Sequence, residues 1–391
     1  MSIKEMAKGL EQYIIDCRRW LHAHPELSGK EIETTRFLVA ELEKMGVPYI
    51  EYEGVPGCIA VIEGGQPGRT VMLRADIDAL PIQEEAGREY GSVNPGVMHA
   101  CGHDGHAAML LGATRILNEM KAELKGTVKL IFQMGEEAGR LAEEYVKRGA
   151  LEGVDAIMGM HLWGNVESGF ANFQSGERMA SSDRFTIQIQ GKAAHGSAPH
   201  QGNDAILAAA SAVMALQSIP SRQNNPLESL VVTVGMMNGG TKENILCDHV
   251  ELVGTVRAFN RTFRNSMPQR IEQVVGNVVQ AYGCTAEFDY YFGPSPVINE
   301  YEDLNELARN ATKKIMGDDC QRPLTKMTGG EDFSVFTEQI PGVYGYVGIR
   351  KEAEGFTPVH HHPAFDLDES VLHCGAGIYA QFAVDFLEAK A

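Results

Sequence analysis

The chain has 391 residues, with 34 Lys+Arg against 52 Asp+Glu, a formal net charge of -18, and 44% hydrophobic residues. That balance fits a globular protein of two or three domains at roughly 100–200 residues each. It excludes extended disorder, collagen-like repeats and a disulfide mini-scaffold. The acidic surplus argues against nucleic acid or an anionic membrane as partner.

The first twenty residues are charged throughout and lack the apolar core of a secretory signal. Residues 2–20 and 30–46 are predicted helices, the second ending at Gly46. Strand-like runs follow at 58–64, 70–78, 127–134 and 156–163, alternating with predicted helices at 105–121 and 141–151. Strands alternating with helices predict an α/β layer with a mostly parallel sheet, whose sites gather at the strands' C-terminal ends. The polar clusters RADID, GEE and HLW each follow such a run.

Near residue 182 the pattern changes. DRFTIQIQG, SLVVTVGMMNGG and VELVGTVRAF alternate like half-buried antiparallel strands, with predicted helices at 204–218 and 266–281. That β-α-β-β-α-β order predicts a small, ferredoxin-like α+β domain. Residues 1–181 and 295–391 are thus expected to form a large α/β domain interrupted by an insert at 182–294. An amphipathic helix at 370–388 closes the chain, and no stretch reaches the ~18 apolar residues of a membrane span.

Seven cysteines, at 17, 58, 101, 247, 284, 320 and 374, are scattered without a CxxC pair, as expected of a reducing, cytoplasmic compartment. Cys101 stands apart, because MHACGHDGH (98–106) packs three histidines, a cysteine and an aspartate ahead of an apolar helix. In an extended segment Cys101 and His103 would point the same way, and a thiolate with an imidazole suits a borderline-soft ion. Such a turn could also merely cap the helix. Glu136 and Glu137 follow the run TVKLIF; adjacent carboxylates on a loop ordinarily face water, but at a strand end one can ligate a metal while the other serves as base. His161 ends another strand run, and the histidines at 360–362 precede Pro363, which would set an extended backbone.

These stretches, together with RRWLHAHPELSGKE, LRADIDALPIQE, GKAAHGSAP, GGTKENI, GTVRAF, TGGEDFSVF and HHPAFDLDE, lie in one order along the chain. In them the sequence resembles the peptidase M20 family, in its branch of N-acyl-amino-acid, hippurate and auxin-conjugate amidohydrolases. The resemblance implies a large metallo-hydrolase domain and an inserted lid and dimerisation domain. It implies two divalent ions (Zn, Mn, Co or Ni) held by Cys101, His103, Glu137, His161 and His361, with Glu136 as general base and then acid. His195 would stabilise the oxyanion, often in the partner subunit's site, and Asn244 and Arg257 would hold the substrate's carboxylate or carbonyl. His195 could equally be a turn histidine, and Arg257 an ordinary strand-face residue.

The implied activity is hydrolysis of N-acyl or N-aroyl amino acids by a homodimer or higher homo-oligomer formed through the lid. A dipeptidase or carboxypeptidase of the same family is the nearer alternative, and a non-catalytic binding relative the remoter one. The chain departs from the family at Met134-Gly135, where Pro-Ala is usual, and at Cys247, where a proline is usual.

Overall fold

The computed structural model describes residues 1–389; the last two residues of the expected 295–391 segment lie outside them. The chain divides into two compact units. One holds Met1–Arg178, Ile298–Thr325 and Asp332–Ala391; the other holds Met179–Val297 and Lys326–Glu331. The segment Lys326–Glu331, expected in the large domain, thus belongs to the second unit. Its backbone explains why: the Ala180 N–H donates to the Met327 carbonyl at 3.0 Å, extending a bridge between Met179 and Met327.

The first unit is built on a seven-stranded sheet. Its centre comprises Lys125–Gln133, Gln66–Asp76, Ala156–Glu167 and Gly342–Arg350, side by side and parallel. Val55–Glu63 and the short Ala171–Asn172 flank them antiparallel. In Gln66–Asp76 the last six residues, Val71 to Asp76, are all buried, the mark of a strand covered on both faces. The covering helices include His103–Glu119, buried almost all round, and Leu372–Glu388. The predicted helix at 2–20 is two, Ile3–Gly9 and Glu11–Ala23, parted at Leu10. Ile32–Met45 stops where Gly46 turns left-handed at φ 64°, with the Val47 N–H donating to Leu42. The predicted helix at 141–151 shrinks to Glu143–Lys147.

The second unit has a four-stranded antiparallel sheet: Leu230–Gly239 at one edge, then His249–Ala258, Asp183–Gln190 and Thr285–Tyr291. Two helices, Ala205–Leu216 and Met267–Gln280, share a core with it that includes Phe185, Ile187, Leu252, Ala209 and Ile271. The α+β order expected from the sequence is the one found.

A candidate metal centre at the strand ends

Three parallel strands deliver the polar cluster. Asp76 and Asp78 lie at and just beyond the end of Gln66–Asp76, Glu136 and Glu137 follow Lys125–Gln133, and His161 sits within Ala156–Glu167. Cys101 and His103 come from the helix start. The extended alternation expected for them is absent, since Gly102 is left-handed at φ 94° and His103 already begins the helix. The turn, not a strand's pleat, brings thiol and imidazole together.

Donor atoms of Cys101, His103 and His161 lie within 4.8 Å of one another; so do those of Cys101, Glu137 and His361, and those of His103, Glu136 and Glu137. The six residues therefore share one cluster. Cys101 Sγ is 3.4 Å from His161 Nε2, and His361 Nε2 is 3.1 Å from Glu137 Oε1. Of the neighbouring histidines, His360 stacks on Trp163 and accepts the Gly164 N–H, while His362 accepts the Ala364 N–H. Pro363 does not leave the run extended. His361 has φ 61°, the single non-glycine residue in the left-handed region among the described residues, and such outliers concentrate at functional sites.

Neighbouring groups fix each ring. His103 Nδ1 pairs with Asp78 Oδ1 at 3.0 Å, which turns Nε2 into the cluster, where it is buried without a hydrogen-bond partner. Asp78 Oδ2 also accepts the Ser28 hydroxyl and the Glu137 N–H, so one buried carboxylate orients a histidine and a glutamate together. His161 Nδ1 donates to the Leu162 carbonyl, leaving Nε2 a lone pair toward Cys101. Burial pulls His161 well below its usual pKa, keeping it neutral. His106, the third histidine of the motif, is satisfied on both sides: Nδ1 donates to Asp76 and Nε2 accepts the Leu162 N–H. It braces the strand end.

The donor set fits divalent cations. Burial, then Glu137 and Glu136, push the Cys101 thiol well above its usual pKa. For His103 burial is outweighed by Asp76 and Asp78, and the imidazole is pushed up to about 10. A cluster whose carboxylates hold protons on a cysteine and a histidine has surplus negative charge, which cations offset while displacing those protons. Thiolate, imidazole and carboxylate together suit Zn, Mn, Co or Ni.

Several contributors are not evident from the motif itself. Asp332, beside the recognisable Glu331, accepts from Arg74 Nη2 at 2.9 Å, from Gln133 Nε2 and from the Ala142 N–H, and its own N–H reaches Glu136 Oε1 at 3.4 Å. Buried Glu31 accepts the Gly135 N–H at 2.8 Å; burial and then Asp78 raise its pKa to about 7.

Those contacts account for the unusual Met134-Gly135. The Met134 N–H, which proline would lack, donates to the Tyr145 hydroxyl at 3.0 Å. Gly135 has φ 69°, and a Cβ there would lie 2.9 Å from Leu141 Cβ and closer still to its Cδ1. The loop is therefore held by Tyr145 and Glu31 rather than by proline. Gly135→Ala is expected to cost about 1–3 kcal/mol and to lower kcat by displacing Glu136. Urea denaturation and steady-state kinetics check both effects.

In the second unit, His195 and Asn244 are brought together and Arg257 is not. His195 pairs with Ile245 across a two-residue ladder, and the Gly196 N–H donates to the Asn244 carbonyl. Both residues are exposed. His195 Nδ1 accepts the Ser197 N–H, which places the ring proton on Nε2. Arg257 lies near the far end of His249–Ala258, paired with Val231 and donating to Thr255 and the Val256 carbonyl. Cys247, without the proline's constraint, is buried and donates to the His249 carbonyl.

A buried thiol, imidazoles and a carboxylate pair at the ends of parallel strands define a metallohydrolase. The model of peptidase family M20/M25/M40 matches residues 72–385, and the chain belongs to that family. It is 40% identical to an N-acetyl-L-cysteine deacetylase of Bacillus subtilis (strain 168), over 93% of this chain and 85% of that protein. It is 45% identical to an N-acyl-L-amino acid amidohydrolase of Geobacillus stearothermophilus, over 80% and 85%. Among solved structures, a Bacillus subtilis dinuclear metal binding peptidase of the M20 family superposes with a TM-score of 0.86 at 36% identity, covering 98% of this chain and 100% of that one.

Proposed function

We propose that the protein is a metal-dependent amidohydrolase that cleaves N-acyl or N-aroyl amino acids. Two divalent ions would be held by Cys101, His103, Glu137, His161 and His361, with Glu136 as general base and acid. The observation that carries this reading is the convergence of those donors on one cluster, buried at Cys101, His103 and His161 and opening outward at His361, with a second carboxylate beside them. The amidohydrolase and deacetylase relatives and the dinuclear neighbour support it.

Ions bound there supply Lewis-acid activation of water and of the scissile carbonyl. The chain's own groups do the rest. Asp78 holds His103 and the Glu137 backbone in place. Glu136, steadied by the Asp332 N–H, takes the proton of the attacking water and returns it to the departing nitrogen. Carboxylate and free amino acid then leave separately. His195, with its proton on Nε2, is a donor suited to the tetrahedral oxygen, and Asn244 beside it suits the substrate's carboxylate. Arg257, near the opposite end of His249–Ala258, is a candidate for the substrate's carboxylate in a site that takes His195 and Asn244 from a second copy of the chain.

The second unit serves as the lid and as the dimer interface in this reading. Its edge strand exposes Met236 and Met237, and Ala205–Leu216 exposes Ile206, Leu207 and Met214, the last at 75%. An unpaired edge with apolar neighbours is a surface that a second copy covers. All seven cysteines are free, six of them buried, which suits a cytoplasmic setting. Among the described residues no helix is long and apolar enough to cross a membrane.

A hydrolysis panel scored by release of free amine tests the activity. It comprises acetyl-, benzoyl- and longer-chain-acyl amino acids, dipeptides and aminobenzoyl-glutamate. Acyl amino acids are expected to be cleaved, and a chelator to abolish cleavage. Dipeptides cleaved in preference to all acylated substrates would make the protein a dipeptidase instead.

A further inference from the structure

Four arginines are buried among the described residues. Three are neutralised: Arg18 by Asp104, Asp366 and Glu369, Arg74 by Asp76 and Asp332, and Arg264 by Asp183. Arg178 is the exception. It is 1% exposed and, among the described residues, has no carboxylate within ion-pair distance. Its Nη2 donates to Asn172 Oδ1, while Nε and Nη1 are buried with no partner. A buried cation without a counter-charge costs several kcal/mol. Consistent with that, burial draws the guanidinium below its usual pKa.

Its surroundings lead to the metal cluster. The Arg178 guanidinium lies 5.0 Å over the ring of Tyr346, which pairs in register with His161 across the parallel sheet. Trp163 meets the same tyrosine at 5.4 Å and His161 at 5.1 Å, and its Nε1 is likewise buried without a partner. Arg178 and the Trp163 indole thus both present unpartnered donors close to one ring, and a guanidinium fork matches a carboxylate bidentately.

We propose that Arg178, assisted by Trp163, is the anion subsite of this enzyme, and that its preferred substrates carry a second carboxylate besides the one on the amino acid's α-carbon. The proposal rests on the amidohydrolase reading above and narrows its substrate class to acyl amino acids with an acidic side chain or an acidic acyl group.

Two matched pairs separate these sources: N-acetylglutamate against N-acetylglutamine, and N-glutaryl-leucine against N-pentanoyl-leucine. In the wild type the acidic member of one pair is expected to have the higher kcat/KM, by at least roughly 30-fold. In Arg178→Met that ratio falls to near one, and Arg178→Lys restores part of it. A ratio near one for both pairs in the wild type overturns the proposal, as does an Arg178→Met variant that slows acidic and neutral members alike. A second arm needs no turnover. Glutarate should raise the Tm of metal-stripped wild type but not of metal-stripped Arg178→Met, and glutaramide should raise neither. Equal glutarate shifts in the two proteins, or none in the wild type, contradict the anion subsite. If no acyl amino acid is hydrolysed, the functional reading fails and the glutarate arm alone decides the subsite.

Discussion

Glu136→Gln is expected to lower kcat by roughly 10²–10⁴-fold while leaving metal content unchanged. Glutamine keeps the shape of glutamate and an oxygen that can accept the Asp332 N–H, so the loop between Gln133 and the cluster has no reason to move. What it loses is the ability to take a proton from water and carry it to the leaving nitrogen. The neighbouring Glu137 cannot substitute, because its carboxylate faces His361 and its backbone is tied to Asp78. Single-turnover kinetics beside metal analysis of the same preparation separate this outcome from simple loss of the site. Turnover near the wild-type rate would remove Glu136 from the proton transfer.

Asp332→Ala is expected to cost about 3–5 kcal/mol of stability, because it takes a carboxylate away from a fully buried arginine. Arg74 would keep Asp76 at 2.7 Å, but the fork to Nη2 and both contacts to Gln133 Nε2 would be lost. The same change removes the acceptor for the Ala142 N–H. Activity should fall with stability, since this network underlies the Glu136 loop. Asp332→Asn, which keeps the acceptor oxygen and loses the charge, should lie between. Urea denaturation measures the stabilities, and a cost below about 1 kcal/mol for the alanine variant would show that Arg74 is satisfied without Asp332.

Much of this architecture was legible because local patterns agree with the fold. The buried runs ending in RADID and QMGEE read as strands, and their polar ends read as a site, because parallel sheets expose their chemistry there. The alternating segments after residue 182 likewise announced an antiparallel insert. What the sequence could not show is long-range pairing. Asp332 meets Arg74 and Gln133 across the fold, and a GGEDF segment carries no sign of which acid makes those contacts. Lys326–Glu331 joins the second unit through a bridge between two methionines, which no periodicity encodes. The turn that joins Cys101 to His103 is hidden as well, since a left-handed glycine is invisible in an alternation pattern. Arg178 showed nothing at all: an arginine in a short strand looks solvated until its burial is known.

The most direct measurement titrates metal into stripped protein and counts the ions bound while acyl amino acid hydrolysis is followed, in the wild type and in Glu136→Gln. The account predicts about two ions per chain in both proteins, with hydrolysis returning in the wild type alone as the sites fill. Hydrolysis by the stripped wild type, or saturation of the wild type without any gain in hydrolysis, would contradict it.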